Sequence, residues 1–300
     1  MDALRGETIL AKRRDALERL DHVRRLLVNE PRGHADMYGC FVVEPEDANA
    51  DLGVVFFHNA GYSTACGHGT IALVTWALES GRIPMAEPET RVVVDVPSGR
   101  LETWARVDGG AVRSVRFRNV PAYVHSWGLA AGDLTVDVAF GGAFYASVEA
   151  RVEPSELSRL IELGRRIKAE LEEAHDFIHP LEPELRDIYG VIFFREEADR
   201  PLTQRNVTVF ADGEVDRSPC GSGTSARLAI LDASGRLPRG EELVHLSIVG
   251  SKFRAWVTGD AKVAGLSGVV TEVEGSAHLT GRHEFVLEPD DPLGTGFLLR

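Results

Sequence analysis

What the chain lacks narrows its chemistry before any motif is read. It has three cysteines, Cys40, Cys66 and Cys220, an odd and small set that makes a poor disulfide framework and fits a reducing, cytoplasmic compartment. A Cys66–Cys220 link is expected only as an oxidation product, should the two sulfurs face each other. Lysine is scarce: Lys12, Lys168, Lys252 and Lys262 are all there are, and none stands near Cys66 or Cys220. A pyridoxal Schiff base is therefore not expected, and neither glycine-rich loop is a Walker-type phosphate cradle. There is no run of eighteen uncharged apolar residues, so no membrane span is expected. The opening MDALRGETILAKRRDALERL carries no apolar signal-peptide core. Basic charge is also missing. A net charge of -13 argues against a nucleic-acid-binding surface.

What is present is a duplication. Hydrophobic content of 44% and charged content of 26% are ordinary for a soluble globular protein, and 300 residues suit two compact domains. Residues 64–84 read TACGHGTIALVTWALESGRIP and residues 218–238 read SPCGSGTSARLAILDASGRLP. Without a gap they share Cys66/Cys220, Gly67/Gly221, Gly69/Gly223, Thr70/Thr224, Ala72/Ala226, Ser80/Ser234, Gly81/Gly235, Arg82/Arg236 and Pro84/Pro238, at an offset of 154. Val54-Val55-Phe56 precedes the first cysteine as Thr208-Val209-Phe210 precedes the second. Trp104 and Trp256 follow each motif at comparable distance. The period is far longer than that of a solenoid repeat, so it marks duplicated domains.

The pattern of residues predicts an opening helix to about residue 29, with Leu10, Leu17, Leu20, Val23, Leu26 and Leu27 at helical spacing. Strands are expected at 37–44, 52–57, 91–96, 101–107 and 112–117. Between them lies a helix, Ile71 to Leu78, apolar on nearly every side and ended by Gly81 and Pro84. Residues 119–134 read as a crossover. Further strands are expected at 135–140, 143–148, 191–194, 206–210, 243–249, 254–258, 268–274 and 284–287. Ser155–Ala174 is the clearest amphipathic helix, with Leu157, Leu160, Ile161, Ile167 and Leu171 on one face.

A glycine turn entering a helix exposes N–H groups at the positive end of the helix dipole. Two such ends facing each other would hold one small carboxylate, and the same dipoles favour thiolate at Cys66 and Cys220. Two thiols flanking one carbon could remove a proton from one face and return one to the other. Cys66-x-His68 supplies no set of three or four metal ligands, so no metal is expected. Cys40, in the strand-like MYGCFVV, reads as core. Arg32 and His34 read as ordering the turn they share, and Gly141-Gly142 as a bulge or bend.

ACGHGT and DRSPCGSGTSA resemble the two cysteine motifs of the proline racemase family, which includes hydroxyproline epimerases and trans-3-hydroxy-L-proline dehydratases. The likeness continues in EPRGHADMYG (Glu30–Gly39), FFHNAGYSTACGHG (Phe56–Gly69), FGGAFYA (Phe140–Ala146) and DPLGTGFLL (Asp291–Leu299). The resemblance implies an α/β (α+β) fold of the diaminopimelate epimerase type. It has two pseudo-symmetric domains, each a curled, mostly antiparallel sheet around a central helix, with the active site in the cleft between them. The expected division is 1–122 plus 276–300 around Cys66, and 123–275 around Cys220.

The resemblance further implies that Cys66 and Cys220 are base and acid, that His68 and Asp216 contact the ring nitrogen, and that N–H groups of Gly67, His68, Gly221 and Ser222 bind the carboxylate. Asp216 has a competing role as cap of the turn before Cys220. The expected activity is racemisation or epimerisation of proline or hydroxyproline without a cofactor. Dehydration of trans-3-hydroxy-L-proline is the alternative, and an impaired imino-acid-binding relative the second. The expected partners are the imino acid and, as an open option, a second copy in a homodimer; no nucleic acid and no membrane are expected. Two departures stand out. Relatives usually begin with a strand carrying an Asp-x-His-Thr-Gly-Gly-Glu-like segment, so the chain is expected to lack roughly thirty N-terminal residues relative to them, with stability and activity in doubt. The dehydratase branch generally has Thr where this chain has Cys220; the cysteine favours epimerisation without excluding a single-base dehydration.

Overall fold

The computed structural model describes residues 4–299. Helices α1 (Ile9–Arg19) and α2 (Asp21–Val28) lead into β1 (Tyr38–Val43), β2 (Leu52–His58), the short β3 (Gly61–Tyr62), α3 (Gly67–Glu79), β4 (Glu89–Val96), β5 (Gly99–Asp108) and β6 (Ala111–Arg118). Then come β7 (Tyr123–Ala131), β8 (Leu134–Phe140), β9 (Phe144–Glu149), α4 (Leu157–Ala174), β10 (Ile188–Asp199), β11 (Leu202–Phe210) and the short β12 (Glu214–Val215). The remaining elements are α5 (Gly221–Ala233), β13 (Leu243–Ser247), β14 (Lys252–Val263) and β15 (Leu266–Gly275).

The strand topology repeats as the motif does. β1 and β2 are antiparallel, β2 runs parallel to β4, and β4, β5 and β6 form a meander. Likewise β10 and β11 are antiparallel, β11 runs parallel to β13, and β13, β14 and β15 form a meander. The two sets join where β6 pairs antiparallel with β15, so the hydrogen-bonded path β1-β2-β4-β5-β6-β15-β14-β13-β11-β10-β9-β8-β7 runs unbroken through both. Beyond the repeat, β9 lies parallel on the outer side of β10, whereas β1 is the end of the path.

Residue alternation explains which layer covers which face. Along β2, Val54 and Phe56 point into the core shared with α3, while Val55 and Phe57 join Ile9 and Ala16 of α1. In β10, Val191 and Phe193 meet the α4 side and Ile192 meets Cys220 and α5. The long helices α3 and α5 therefore sit inside the curl of the sheet. That is why α3 is apolar almost all round, with Ile71, Leu73, Val74, Ala77 and Leu78 buried. Each large aliphatic among them contributes about 1.5–3 kcal/mol by leaving water. Outside, α4 presents Leu160, Gly164, Ile167 and Leu171 to the sheet. Gly164 is required by closeness: a Cβ there would come within 2.9 Å of Val209.

Three expectations need correction. The opening helix is two helices, divided at Leu20, whose φ of -118° and ψ of 10° leave the α region. The crossover at 119–134 contains β7, which pairs with β8 through two register shifts and turns at Gly128 (φ 62°); these irregularities blur the alternation that marks a strand. The strand expected at 284–287 is absent among the described residues. Phe285, Val286 and Leu287 are exposed there, and strand-like composition cannot form a strand without a partner ladder. The C-terminal segment does return to the start of the chain, where Phe297 bridges Glu30 and Arg32 donates to the carbonyls of Gly294 (3.1 Å) and Val286 (2.7 Å). Arg32 thus ties down the tail, a structural task other than the ordering of its own turn that was expected of it.

Candidate active site

The two motif cysteines cap the two inner helices. Cys66 is the N-cap of α3 in extended geometry (φ -152°), and its sulfur accepts the Gly69 N–H at 3.2 Å, which satisfies one of the helix's orphan donors. Cys220 is the N-cap of α5, but its φ is 63°. That left-handed conformation is uncommon for a residue with a side chain and gathers at functional sites. The helices meet end to end. A Cβ on Gly67 would lie 2.5 Å from the Cα of Gly221, and one on Gly221 would lie 2.6 Å from the Cα of Gly67, with the Phe117 ring closing over both. The glycines are demanded by this approach. It aims the first N–H groups of both helices, which have no intrahelical acceptor, at one place.

Cys66 and Cys220 line one cavity of about 10 Å³, together with Gly67, His68, Asp216, Gly221 and Ser222. Every residue singled out in the sequence for the site is brought to it. The cavity holds no more than about one water. All three cysteines are free. Cys40 lies elsewhere, partly buried against the core around α3, with burial pushing its thiol up to about 12.

The walls differ in charge. His68 Nε2 stands 3.5 Å from the Cys66 sulfur, and His68 Nδ1 stands 3.3 Å from Asp216 Oδ2 and 3.2 Å from the Ser218 hydroxyl. Burial would lower the imidazole's pKa; Cys66 and then Asp216 outweigh it and hold it well above the usual histidine range. For Asp216, burial would raise the carboxyl. The His68 charge and the Ser218 N–H, which donates to Oδ1 at 2.8 Å, bring it below the usual value. Asp216 therefore caps the turn before Cys220, the competing role weighed for it, and is in addition the ionic partner of His68. Cys220 has no imidazole. Burial, followed by the negative Asp216, pushes its thiol up to about 12. Its sulfur is 3.7 Å from the Tyr145 hydroxyl, which bonds the Ser222 hydroxyl at 2.6 Å.

The remaining wall went unread in the sequence. Tyr38, Tyr145, Tyr189, Phe210 and Ala65 complete the lining. Tyr38-Gly39 opens β1 as Tyr189-Gly190 lies at the start of β10, and the two phenol oxygens meet at 3.1 Å across the cavity. The repeated Tyr-Gly, offset by 151 rather than 154 positions, was the signal that could have found them. Burial raises all three tyrosines well above the usual phenol value, so they stay protonated. Gly141-Gly142 forms a bend, as expected. Gly142 has a φ of 103°, and a Cβ on Gly141 would strike the Ser222 carbonyl at 2.3 Å, so the bend packs on the first turn of α5. Among the described residues, no three of His, Cys, Asp and Glu are placed to hold a metal ion, and no helix is long and apolar enough to cross a membrane.

This arrangement, a curled mixed sheet around two helices whose cysteine-capped ends abut, defines an epimerase-type α/β fold. A solved hydroxyproline epimerase from Agrobacterium vitis, with bound trans-4-hydroxy-L-proline, superposes with a TM-score of 0.93 at 33% identity, covering 99% of this chain and 89% of that one. Residues 1–298 match the proline racemase family, and the chain belongs to it. A trans-3-hydroxy-L-proline dehydratase from Bacillus cereus is 44% identical over 99% of this chain and 91% of its own length. A 3-hydroxyproline 2-epimerase from Burkholderia multivorans is 45% identical over 99% of this chain and 92% of its own. The chain is therefore similar both to isomerases and to a lyase of one family.

Proposed function

We propose that the protein inverts the α-carbon of proline or hydroxyproline by two-thiol acid–base chemistry that needs no cofactor. The observation that carries this reading is the junction at Gly67 and Gly221, which turns two cysteine-capped helix ends onto one cavity. The carboxylate would lie against the N–H groups of Gly67, His68, Gly221 and Ser222, where two helix dipoles favour negative charge. The ring nitrogen would meet Asp216 and His68. One sulfur, as thiolate, takes the α-proton. The electron pair of the broken C–H bond passes into the carboxylate, whose developing charge the helix ends stabilise. The other sulfur then gives its proton to the opposite face, and the two sulfurs end with exchanged protonation. The His68 imidazolium neutralises a sulfur anion better at Cys66 than at Cys220. Widening of the cleft between residues 1–122 with 276–300 and residues 123–275 would admit the substrate, and the three free thiols suit the cytoplasm.

A second reading is favoured by the similarity to the dehydratase. On a 3-hydroxylated ring, one sulfur removes the α-proton, the C3–O bond breaks, and hydroxide leaves as water after taking a proton. The resulting enamine tautomerises to a pyrroline carboxylate. Incubation of L-proline, 4-hydroxy-L-proline and 3-hydroxy-L-proline in D2O separates the cases. Uptake of α-deuterium with inversion is expected. Formation of a pyrroline product, detected with o-aminobenzaldehyde, would move the assignment to dehydration. Absence of both with every substrate would overturn it.

A further inference from the structure

Resting on that reading, we infer that the paired phenols of Tyr38 and Tyr189 are the specificity-determining groups of this site, recognising a hydroxyl on the ring of the bound imino acid. Once the thiols, the helix ends and the His68–Asp216 pair are assigned to the α-carbon, the carboxylate and the nitrogen, the wall left for the ring is Tyr38, Tyr145, Tyr189, Phe210 and Ala65. A ring of bare methylenes is matched by a hydrocarbon wall. Three of these five residues instead bring hydroxyls to the cavity wall.

Hydrogen-bond accounting picks out which hydroxyl is free to read a ligand. A phenol offers one donor and two acceptor sites. Tyr145 is engaged by Ser222 and by the Cys220 sulfur. Tyr38 is engaged by the Ser63 hydroxyl and by Tyr189. Tyr189, at the end of this Ser63–Tyr38–Tyr189 chain, has one hydroxyl partner, Tyr38, and capacity to spare. Its ring is fixed by stacking on Phe210, with centroids 5.5 Å and planes 20° apart. The edge of Tyr145 braces it from another side, at 5.8 Å and 81°. Both are favoured aromatic arrangements. The oxygen is thus held in place while its bonding is incomplete.

The pair also spans the cleft, since Tyr38 belongs to β1 and Tyr189 to β10. Widening the cleft for a ligand separates the two oxygens and breaks the bond at 3.1 Å. A hydroxyl on the bound ring can take the place of the lost partner for both phenols. Proline cannot, and it leaves the two half-buried hydroxyls unmatched, which is the circumstance in which a site built around a hydroxyl rejects the analogue lacking it.

The test is the full-length protein and its Tyr189→Phe variant, assayed for α-deuterium uptake in D2O with L-proline, 3-hydroxy-L-proline and 4-hydroxy-L-proline. Wild type is expected to favour at least one hydroxyproline over proline by about ten-fold or more in kcat/KM. Tyr189→Phe is expected to lower kcat/KM for that hydroxyproline by about ten-fold while leaving proline within about two-fold. Tyr38→Phe, which keeps the Tyr189 phenol but removes its anchor, is expected to shift the ratio the same way by less. An equal loss for both substrates would reduce the pair to a latch and overturn the inference, as would a wild type that favours proline, an outcome independent of how the variants fold. A wild type that exchanges no α-proton and forms no pyrroline sinks the function itself, whereas an active one with an unmoved ratio sinks only the tyrosine assignment.

Discussion

The two cysteine loops share sequence, helix and glycines, yet they place their sulfurs in opposite surroundings. At Cys66 the backbone is extended, the sulfur takes the Gly69 N–H, and the His68 ring lies alongside. At Cys220 the backbone is left-handed, the neighbour is the Tyr145 phenol, and burial with Asp216 pushes the thiol up to about 12. The difference comes from single positions. His68 aligns with Ser222, so the imidazole occurs once, and the facing loop supplies Asp216 to hold it. Duplication gave two similar mounts, and substitution within them gave one sulfur a cation for a neighbour and the other a phenol. A pair of identical thiols would share their charge evenly; this pair need not.

The sharpest way to break the comparison is to remove each sulfur in turn. Cys66→Ala and Cys220→Ala should each lower epimerisation by about 10²–10⁴-fold, the usual contribution of a positioned acid or base. The variants should differ in what survives. With Cys220→Ser, the Cys66 sulfur can still exchange the α-proton of one enantiomer with D2O, so deuterium enters without a change in optical rotation. Cys66→Ser should lose that exchange for the same enantiomer. Polarimetry run beside mass spectrometry reads both. Undiminished inversion by Cys220→Ser would remove the second thiol from the mechanism.

This asymmetry shows how far the sequence could be read. The pairing of Cys66 with Cys220 and of Gly67 with Gly221 was legible in one gapless repeat, while His68, Asp216 and Ser222 were added by the resemblance to the proline racemase motifs. Most strands were legible because burial on one or both faces leaves runs such as LGVVFFH in β2. Tyr38, Tyr145 and Tyr189 were not. They lie on strands away from the cysteine loops, Tyr38 and Tyr145 within the EPRGHADMYG and FGGAFYA segments, and an aromatic in a strand is ordinary core composition until a fold shows where its hydroxyl points. β7 and the coil at 284–287 were missed for a related reason: pairing is decided by neighbours, and a segment's own residues do not announce whether one is there.

Next in size is the junction that makes the loops comparable. Alanine at a helix's first position normally stabilises relative to glycine, because the unfolded chain loses less freedom. Gly67→Ala and Gly221→Ala should do the reverse. Their Cβ atoms would meet the Cα of the opposite glycine at 2.5 and 2.6 Å, against backbone that cannot swing aside, with Phe117 behind. A loss of about 1–3 kcal/mol in thermal or denaturant unfolding is expected from such overpacking, along with impaired turnover as the helix ends separate. Either variant proving more stable than wild type would mean that α3 and α5 do not abut.

The smallest expected effect concerns charge on the Cys66 side. Asn at 216 can still accept the Ser218 N–H and keep the turn, so Asp216→Asn removes charge with little change of shape. His68 is held above its ordinary pKa against the pull of burial, by Cys66 first and Asp216 next. A raised pKa in the folded state stabilises below the unfolded value, and that contribution fades as pH rises through the folded one. Asp216 lies below its ordinary value, so its share fades instead as pH falls. The variant should therefore deprotonate His68 at lower pH than wild type does, moving the alkaline limb of the exchange rate toward neutrality, and it should lose the Asp216 share of the acid-side dependence of stability. Rates and melting temperatures across the pH range, measured for both proteins, check each limb. Coincident profiles would show that the Asp216–His68 contact at 3.3 Å carries no ionic coupling and that the two cysteine loops are electrostatically closer than their surroundings suggest.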